Sequence, residues 1–157
     1  MSLVSFRPLS PERIPDLLEL HAANAASYPP GDQHRYFESL IDMEGLFLCL
    51  FMDDQLIAAG GLQKHEDYWW LHSLDVHPSR QRQGWGRRLI RELLATLAPG
   101  SAEITTVALN AASGAEDFYR RLGFVLYDPG ESSTAAHFCR HFTAAELQDF
   151  NTSGPSE

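Results

Sequence analysis

The segment Gln81-Arg82-Gln83-Gly84-Trp85-Gly86 joins two glycines to a run of cations. Five of the eleven arginines fall between Arg80 and Arg91, a window without Asp or Glu. Leu89, Ile90, Leu93, Leu94 and Leu97 then recur at helical spacing, so a helix begins at the glycines. The first turn of a helix carries N–H groups without intrahelical partners, at the positive end of the dipole. An anion can rest there, and glycine lets the backbone come close because it has no Cβ. Arg82, Arg87 and Arg88 add charge at the same spot. A small polyanion is the ligand that this pattern suits. Arginines alone would read as a solvated helix face, and the glycines beside them argue for more.

Two other phosphate patterns fit worse. A dinucleotide fingerprint needs a small residue where Leu89 stands. A Walker loop ends in Gly-Lys-Ser/Thr, and the only lysine is Lys64. Nicotinamide and nucleotide-hydrolysing enzymes are thereby disfavoured. The net charge of −9 argues against nucleic acid as a partner. No Cys/His spacing suits a metal, so none is expected. Cys49 and Cys139 lie in apolar strand-like segments and read as small buried hydrophobes.

A phosphate site at a helix start needs a strand to deliver the chain and a sheet to hold both. The length of 157 residues suits one domain, taken as 1–150, with 151–157 as a disordered polar tail. Apolar runs are too short to cross a bilayer, and the start lacks a signal-peptide pattern, so no membrane and a cytoplasmic location are expected. Leu3 to Arg7 reads as a strand. Ser10-Pro11 opens a helix that places Ile14, Leu17, Leu18 and His21 on one face. A break at Pro29 to Gly31 precedes a second helix carrying Tyr36, Phe37, Leu40 and Ile41.

Strands Leu46 to Met52 and Leu56 to Leu62 flank an Asp53-Asp54 hairpin turn. Tyr68 to Val76 is a strand that delivers the chain to the glycines, and helix Gly86 to Leu97 comes next, stopped by Pro99-Gly100. Ile104 to Leu109 is the next strand. Ser113-Gly114-Ala115-Glu116 has capping-box spacing and predicts a helix through Leu122, closed by Gly123. Phe124 to Tyr127 and Ala136 to Phe142 are the last strands. The order β-α-α-β-β-β-α-β-α-β-β predicts an α/β fold, a mixed sheet of about seven strands with about four helices on its two faces.

Gln81-x-x-Gly84-x-Gly86 matches the Gln/Arg-x-x-Gly-x-Gly/Ala signature, and the chain here resembles the GNAT superfamily of acetyltransferases. Leu74-Asp75-Val76-His77-Pro78 precedes it as that family's central strand does. Asn110 and Phe118-Tyr119-Arg120-Arg121-Leu122-Gly123-Phe124 look like its second hallmark. The similarity in motif order spans roughly residues 45 to 128. It implies a mostly antiparallel sheet that splays open beside the central strand, with acetyl-CoA as co-substrate in the gap. Gln81, Arg82, Gln83, Gly84, Trp85, Gly86 and Arg87 would cradle the pyrophosphate through backbone N–H groups. Main-chain groups of Leu74 and Val76 would pair with the pantetheine arm. Asn110, Ser113 and Tyr119 would line the other wall.

The implied reaction is attack of a primary amine on the thioester in a ternary complex. Tyr119, at the tyrosine position of the second hallmark, is the expected general acid for the departing thiolate; packing is its plainer role. His72 is the expected base, since Trp70, His72, Leu74 and Val76 would alternate onto one face of a regular strand. Its plainer role is a buried, hydrogen-bonded histidine. Glu66 and Asp75 are the fallbacks. Trp69 and Trp70 read as packing residues, with a wall of the acceptor pocket as their alternative role. The acceptor is a small amine, amino acid, antibiotic or peptide N-terminus, and the acidic balance favours a cation. The other readings are a non-catalytic acyl-CoA-binding domain, another acyl donor, or a hydroxyl acceptor. Edge strands near the C-terminus offer a route to a homodimer.

Overall fold

The computed structural model describes residues 3–24, 33–41, 45–97, 104–111, 114–126 and 136–152. The break at Pro29 to Gly31, the Pro99-Gly100 stop and Ser113 lie outside them. Seven strands form one sheet: β1 (Val4–Pro8), β2 (Gly45–Met52), β3 (Gln55–Lys64), β4 (Trp69–Val76), β5 (Ile104–Ala111), β6 (Val125–Leu126) and β7 (Ala136–Thr143). Their spatial order is β1-β2-β3-β4-β5-β7-β6. Among the described residues only β4 and β5 run parallel; every other neighbouring pair is antiparallel.

The helices are α1 (Ile14–Ala23), α2 (Gln33–Ile41), α3 (Trp85–Ala95), α4 (Glu116–Arg121) and α5 (Ala144–Thr152). Ser10 occupies the expected cap position, but its side chain makes no cap bond, and a short 3-10 turn at Pro11–Arg13 leads into α1. The Asp53-Asp54 turn takes left-handed φ of 52° and 69° at its two residues, as a tight hairpin with right-handed strand twist requires. The apolar stripe of α3 packs on one face of the sheet with Leu62, Leu71, Val107, Phe138 and Leu147. On the opposite face, Leu17 of α1 and Phe37 of α2 pack on Phe47, Cys49 and Phe51.

Three expectations need correction. Helix α5 is additional; Thr143 and Glu146 exchange cap bonds, Thr143 N–H donating to Oε1 (2.9 Å) and Glu146 N–H to Oγ1 (3.2 Å). It takes in Asn151 and Thr152, which the polar composition assigns to the tail. Helix α4 starts at Glu116 behind an Ala115 N-cap, not at Ser113, and Glu116 Oε1 accepts from the Gly114 N–H (3.0 Å) instead. The third concerns β4 and bears on the site.

Candidate active site

Strands β4 and β5 pair over Trp69–Leu71 and Val107–Leu109 alone. Beyond Leu109, β5 continues with β7, while β4 continues to Val76 against β3. A wedge therefore opens between the His72–Val76 stretch and Asn110, which is exposed on β5. At its edge β4 carries a bulge: Gly61 pairs His72 and Ala59 pairs Asp75, leaving one extra residue between them. Ser73 sits there at φ 55°. The bulge breaks strand alternation.

His72, Leu74 and Val76 consequently do not share a face. His72 lies by Phe47 on the α1/α2 side, with ring centroids 6.0 Å apart. Leu74 and Val76 pack on the α3 core. Asp75 turns to α1, where its Oδ2 lies 3.2 Å from His21 Nδ1 and its Oδ1 accepts from Asn24 Nδ2 (3.3 Å).

The loop after β4 is the expected phosphate segment. His77 caps the 3-10 turn Pro78–Arg80 by accepting from Ser79 N–H. Arg82 then takes φ 63° and Gly84 φ 88°, and left-handed residues in such a run are what allows successive N–H groups to turn toward one anion. Gly84 is the N-cap of α3, and no side chain caps the helix. A Cβ on Gly84 would meet nothing within 4 Å, so it is the φ that asks for glycine. On Gly86 a Cβ would stand 3.4 Å from both Phe118 and Val76, which leaves room for a methyl group. Arg82 and Arg87 are exposed on this loop and the first turn of α3. Arg88 is drawn into ring contacts, 5.4 Å from Phe6 and 5.6 Å from Trp85. The Trp85 ring packs on the core.

Gln81 and Asn24 converge on the end of β4. The Val76 carbonyl accepts from Gln81 Nε2 (2.9 Å) and from Asn24 Nδ2 (3.0 Å), and Gln81 Nε2 also donates to Asn24 Oδ1 (3.0 Å). Sequence reasoning missed Asn24. Its partners on β4 and the loop lie more than fifty residues away, so no local pattern marks that role.

Tyr119 is buried on α4 among Phe118, Phe124 and Phe138. Burial pushes its phenol well above the ordinary range, and the Asp75 charge adds to this. No hydrogen bond to its hydroxyl is formed among the described residues. Burial pulls His72 down to about 4, helped by His65, and its Nδ1 lies 3.0 Å from Ser73 Oγ. Glu66 is exposed in the β3–β4 turn, at the end of β4 remote from the loop, and is not brought to the wedge. Cys49 is buried and its thiol pushed up to about 12, which leaves it inert. Among the described residues no His, Cys, Asp and Glu cluster could hold a metal.

Residues 14–124 match the family model of the acetyltransferase (GNAT) family. The chain belongs to this family. No curated protein sequence matches it. Solved structures share its fold. The ribosomal-protein-S18-alanine N-acetyltransferase of Escherichia coli aligns at 19% identity and TM-score 0.69, over 90% of this chain and 94% of that one. The PaiA N-acetyltransferase of Thermoplasma acidophilum, in complex with coenzyme A, aligns at 20% and 0.68, over 89% and 99%. A GNAT family acetyltransferase of Brucella melitensis, in complex with acetyl-CoA, aligns at 23% and 0.67, over 89% and 88%. At these identities the likeness is one of fold. Among the described residues no helix of this GNAT chain is long and apolar enough to cross a membrane.

Proposed function

We propose that the protein transfers the acetyl group of acetyl-CoA to a primary amine by direct attack. The observation that carries the reading is the early end of β4–β5 pairing at Leu71 and Leu109, with the uncapped start of α3 at the mouth of the wedge. A strand-like arm can enter such a gap, and a pyrophosphate suits the N–H groups of Arg82 to Arg87. The fold relatives from Thermoplasma acidophilum and Brucella melitensis hold coenzyme A and acetyl-CoA, which agrees with this choice. Leu74 would offer main-chain groups to the pantetheine arm. The Val76 carbonyl already accepts from two amides, so Leu74 carries more of that pairing than Val76. Asn110 would face the arm from β5.

In the reaction the amine nitrogen bonds to the thioester carbon, and the C–S bond then breaks. The amine must arrive neutral. An ammonium of pKa about 10 would not yield its proton to an imidazole held near 4. Once the nitrogen has attacked, its N–H becomes far more acidic, and a weak base suffices. His72 takes that proton, directly or through a water. Tyr119 faces the opposite need. Its raised pKa keeps its O–H in place at any working pH, so it hydrogen-bonds the sulfur as charge builds there. A thiolate of pKa about 8.5 is too weak a base to strip that proton outright, and the proton is shared with the sulfur as the thiolate departs. The products are an amide and free coenzyme A. Tyr68 and Trp70 are half-buried rings 6.5 Å apart, and Trp70 lies two residues before His72 on β4. The body of the acceptor would lie along them.

Thiol release from acetyl-CoA across a panel of primary amines tests the reading. Amine-dependent release with an equal amount of amide is expected. Tight acetyl-CoA binding with no release on any amine would overturn it in favour of a binding domain.

A further inference from the structure

Asn24 closes α1 at its C-cap, with φ −110° and ψ 21°. Its amide reaches from the helix to the end of β4. Nδ2 donates to the Val76 carbonyl at 3.0 Å and to Asp75 Oδ1 at 3.3 Å. Both partners are acceptors, so the amide can be oriented only one way. That orientation turns Oδ1 outward, where it accepts from Gln81 Nε2 at 3.0 Å. Asp75 is almost wholly buried and His21 lies 3.2 Å from its other oxygen. Asn24 thus stands on a fixed base and holds an exposed residue, Gln81.

Gln81 stands directly before the strained residue of the loop. It is extended, at φ −68° and ψ 157°, and Arg82 next to it takes φ 63°. A side chain with a Cβ disfavours that region, and such a residue keeps it only when its neighbours over-determine the backbone. Downstream the chain passes to Gly84, which imposes little. One further tie is Gln83 Nε2 to the Ser79 carbonyl at 3.3 Å. The pin directly upstream of Arg82 is the Gln81 amide, bound to Val76 and to Asn24.

We infer that Asn24 is a positioning residue for coenzyme A: by holding Gln81 it keeps the loop of Arg82 to Gly86 in its left-handed form. This rests on the reading of that loop as the pyrophosphate site. A plain structural tie between α1 and β4 would be served by His21 and Asp75 alone. The extension of Asn24 to an exposed loop residue adds nothing to packing.

The test is calorimetric titration of coenzyme A into wild type, Asn24→Ala, Gln81→Ala and the double variant. Each single change is expected to weaken binding about tenfold, as the loss of one or two hydrogen bonds would. The double variant is expected to bind no more weakly than the worse single one, because both changes release the same pin. Wild-type affinity in Asn24→Ala, or losses that multiply in the double variant, would overturn the inference. Should Asn24→Ala not fold, Asn24→Ser is judged the same way, since its shorter side chain cannot bridge Val76 and Gln81 together. If wild type itself takes up no coenzyme A, the reading of the loop fails and this inference with it. If wild type binds and the variants match it, only this inference fails.

Discussion

His72 is the proposed base and Tyr119 the proposed acid that shares its proton with the sulfur, and burial moves their pKa values apart, the histidine down to about 4 and the phenol up. The usual expectation for a histidine base is an acid limb near 6.5 in the rate profile. Here His72 is already neutral there, so the limb belongs to the acceptor. We predict that kcat/KM rises with pH up to the pKa of the amine used, and that the limb moves when amines of different pKa are exchanged. His72→Gln should lower kcat about a hundredfold without moving the limb. A limb fixed near 6.5 for every amine would point to another, ordinary histidine. Tyr119→Phe should also lower kcat about a hundredfold, and should leave the affinity for coenzyme A unchanged. Its hydroxyl bonds to none of the described residues, so the melting temperature should hold as well. A fall in both rate and melting temperature would mark Tyr119 as a packing residue.

Strands, turns and helix starts are legible wherever local chemistry decides them. The Asp53-Asp54 hairpin, the apolar stripe of α3 and the left-handed Gly123 at the end of α4 all derive from residue type at a given spacing. The bulge in β4 does not. It needs a left-handed Ser73, and serine has no preference for that region, so a regular strand is the natural reading. That reading puts His72 on the wrong face relative to Leu74 and Val76. Capping chemistry misleads in one place and is easily overlooked in another. Ser113-x-x-Glu116 places the start of α4 too early, whereas Thr143-x-x-Glu146 is a true capping box and announces α5. Thr143→Ala should therefore cost about 1 kcal/mol, read as a lower urea midpoint with unchanged slope. The two loop glycines should separate cleanly. Gly84→Ala forces a Cβ into φ 88° and should weaken coenzyme A binding strongly, by titration. Gly86→Ala meets only ordinary contacts at 3.4 Å and should bind nearly as wild type.

Contacts between distant parts of the chain are the least legible. Asn24, Asp75 and Gln81 meet through the fold, and nothing in their own neighbourhoods predicts that α1 ends above β4. The same long-range packing buries His72 between Phe47 and the glycine backbone at Gly61, where a Cβ would come within 2.8 Å of the imidazole. That burial has a consequence for the stability of the whole molecule. In the unfolded chain the imidazole titrates near its ordinary value of 6.5, and in the folded chain near 4. Between those values the unfolded state binds more protons, so stability rises with pH across the window. The contribution is fully present above 6.5 and is lost as pH falls toward 4. A separation of this size amounts to about 3 kcal/mol, an upper figure for a ring that keeps some solvent contact. Urea midpoints measured from pH 7 to pH 4.5 should fall steadily in wild type. In His72→Gln, which has no ring to protonate, that part of the slope should vanish while the acid loss from Asp54 and Glu146 remains below it, since Arg13 holds the Asp54 carboxyl lowered and the Thr143 N–H, with Arg140, holds that of Glu146 lowered. An equal slope in the two proteins would mean that His72 is more open to water than its packing against Phe47 implies.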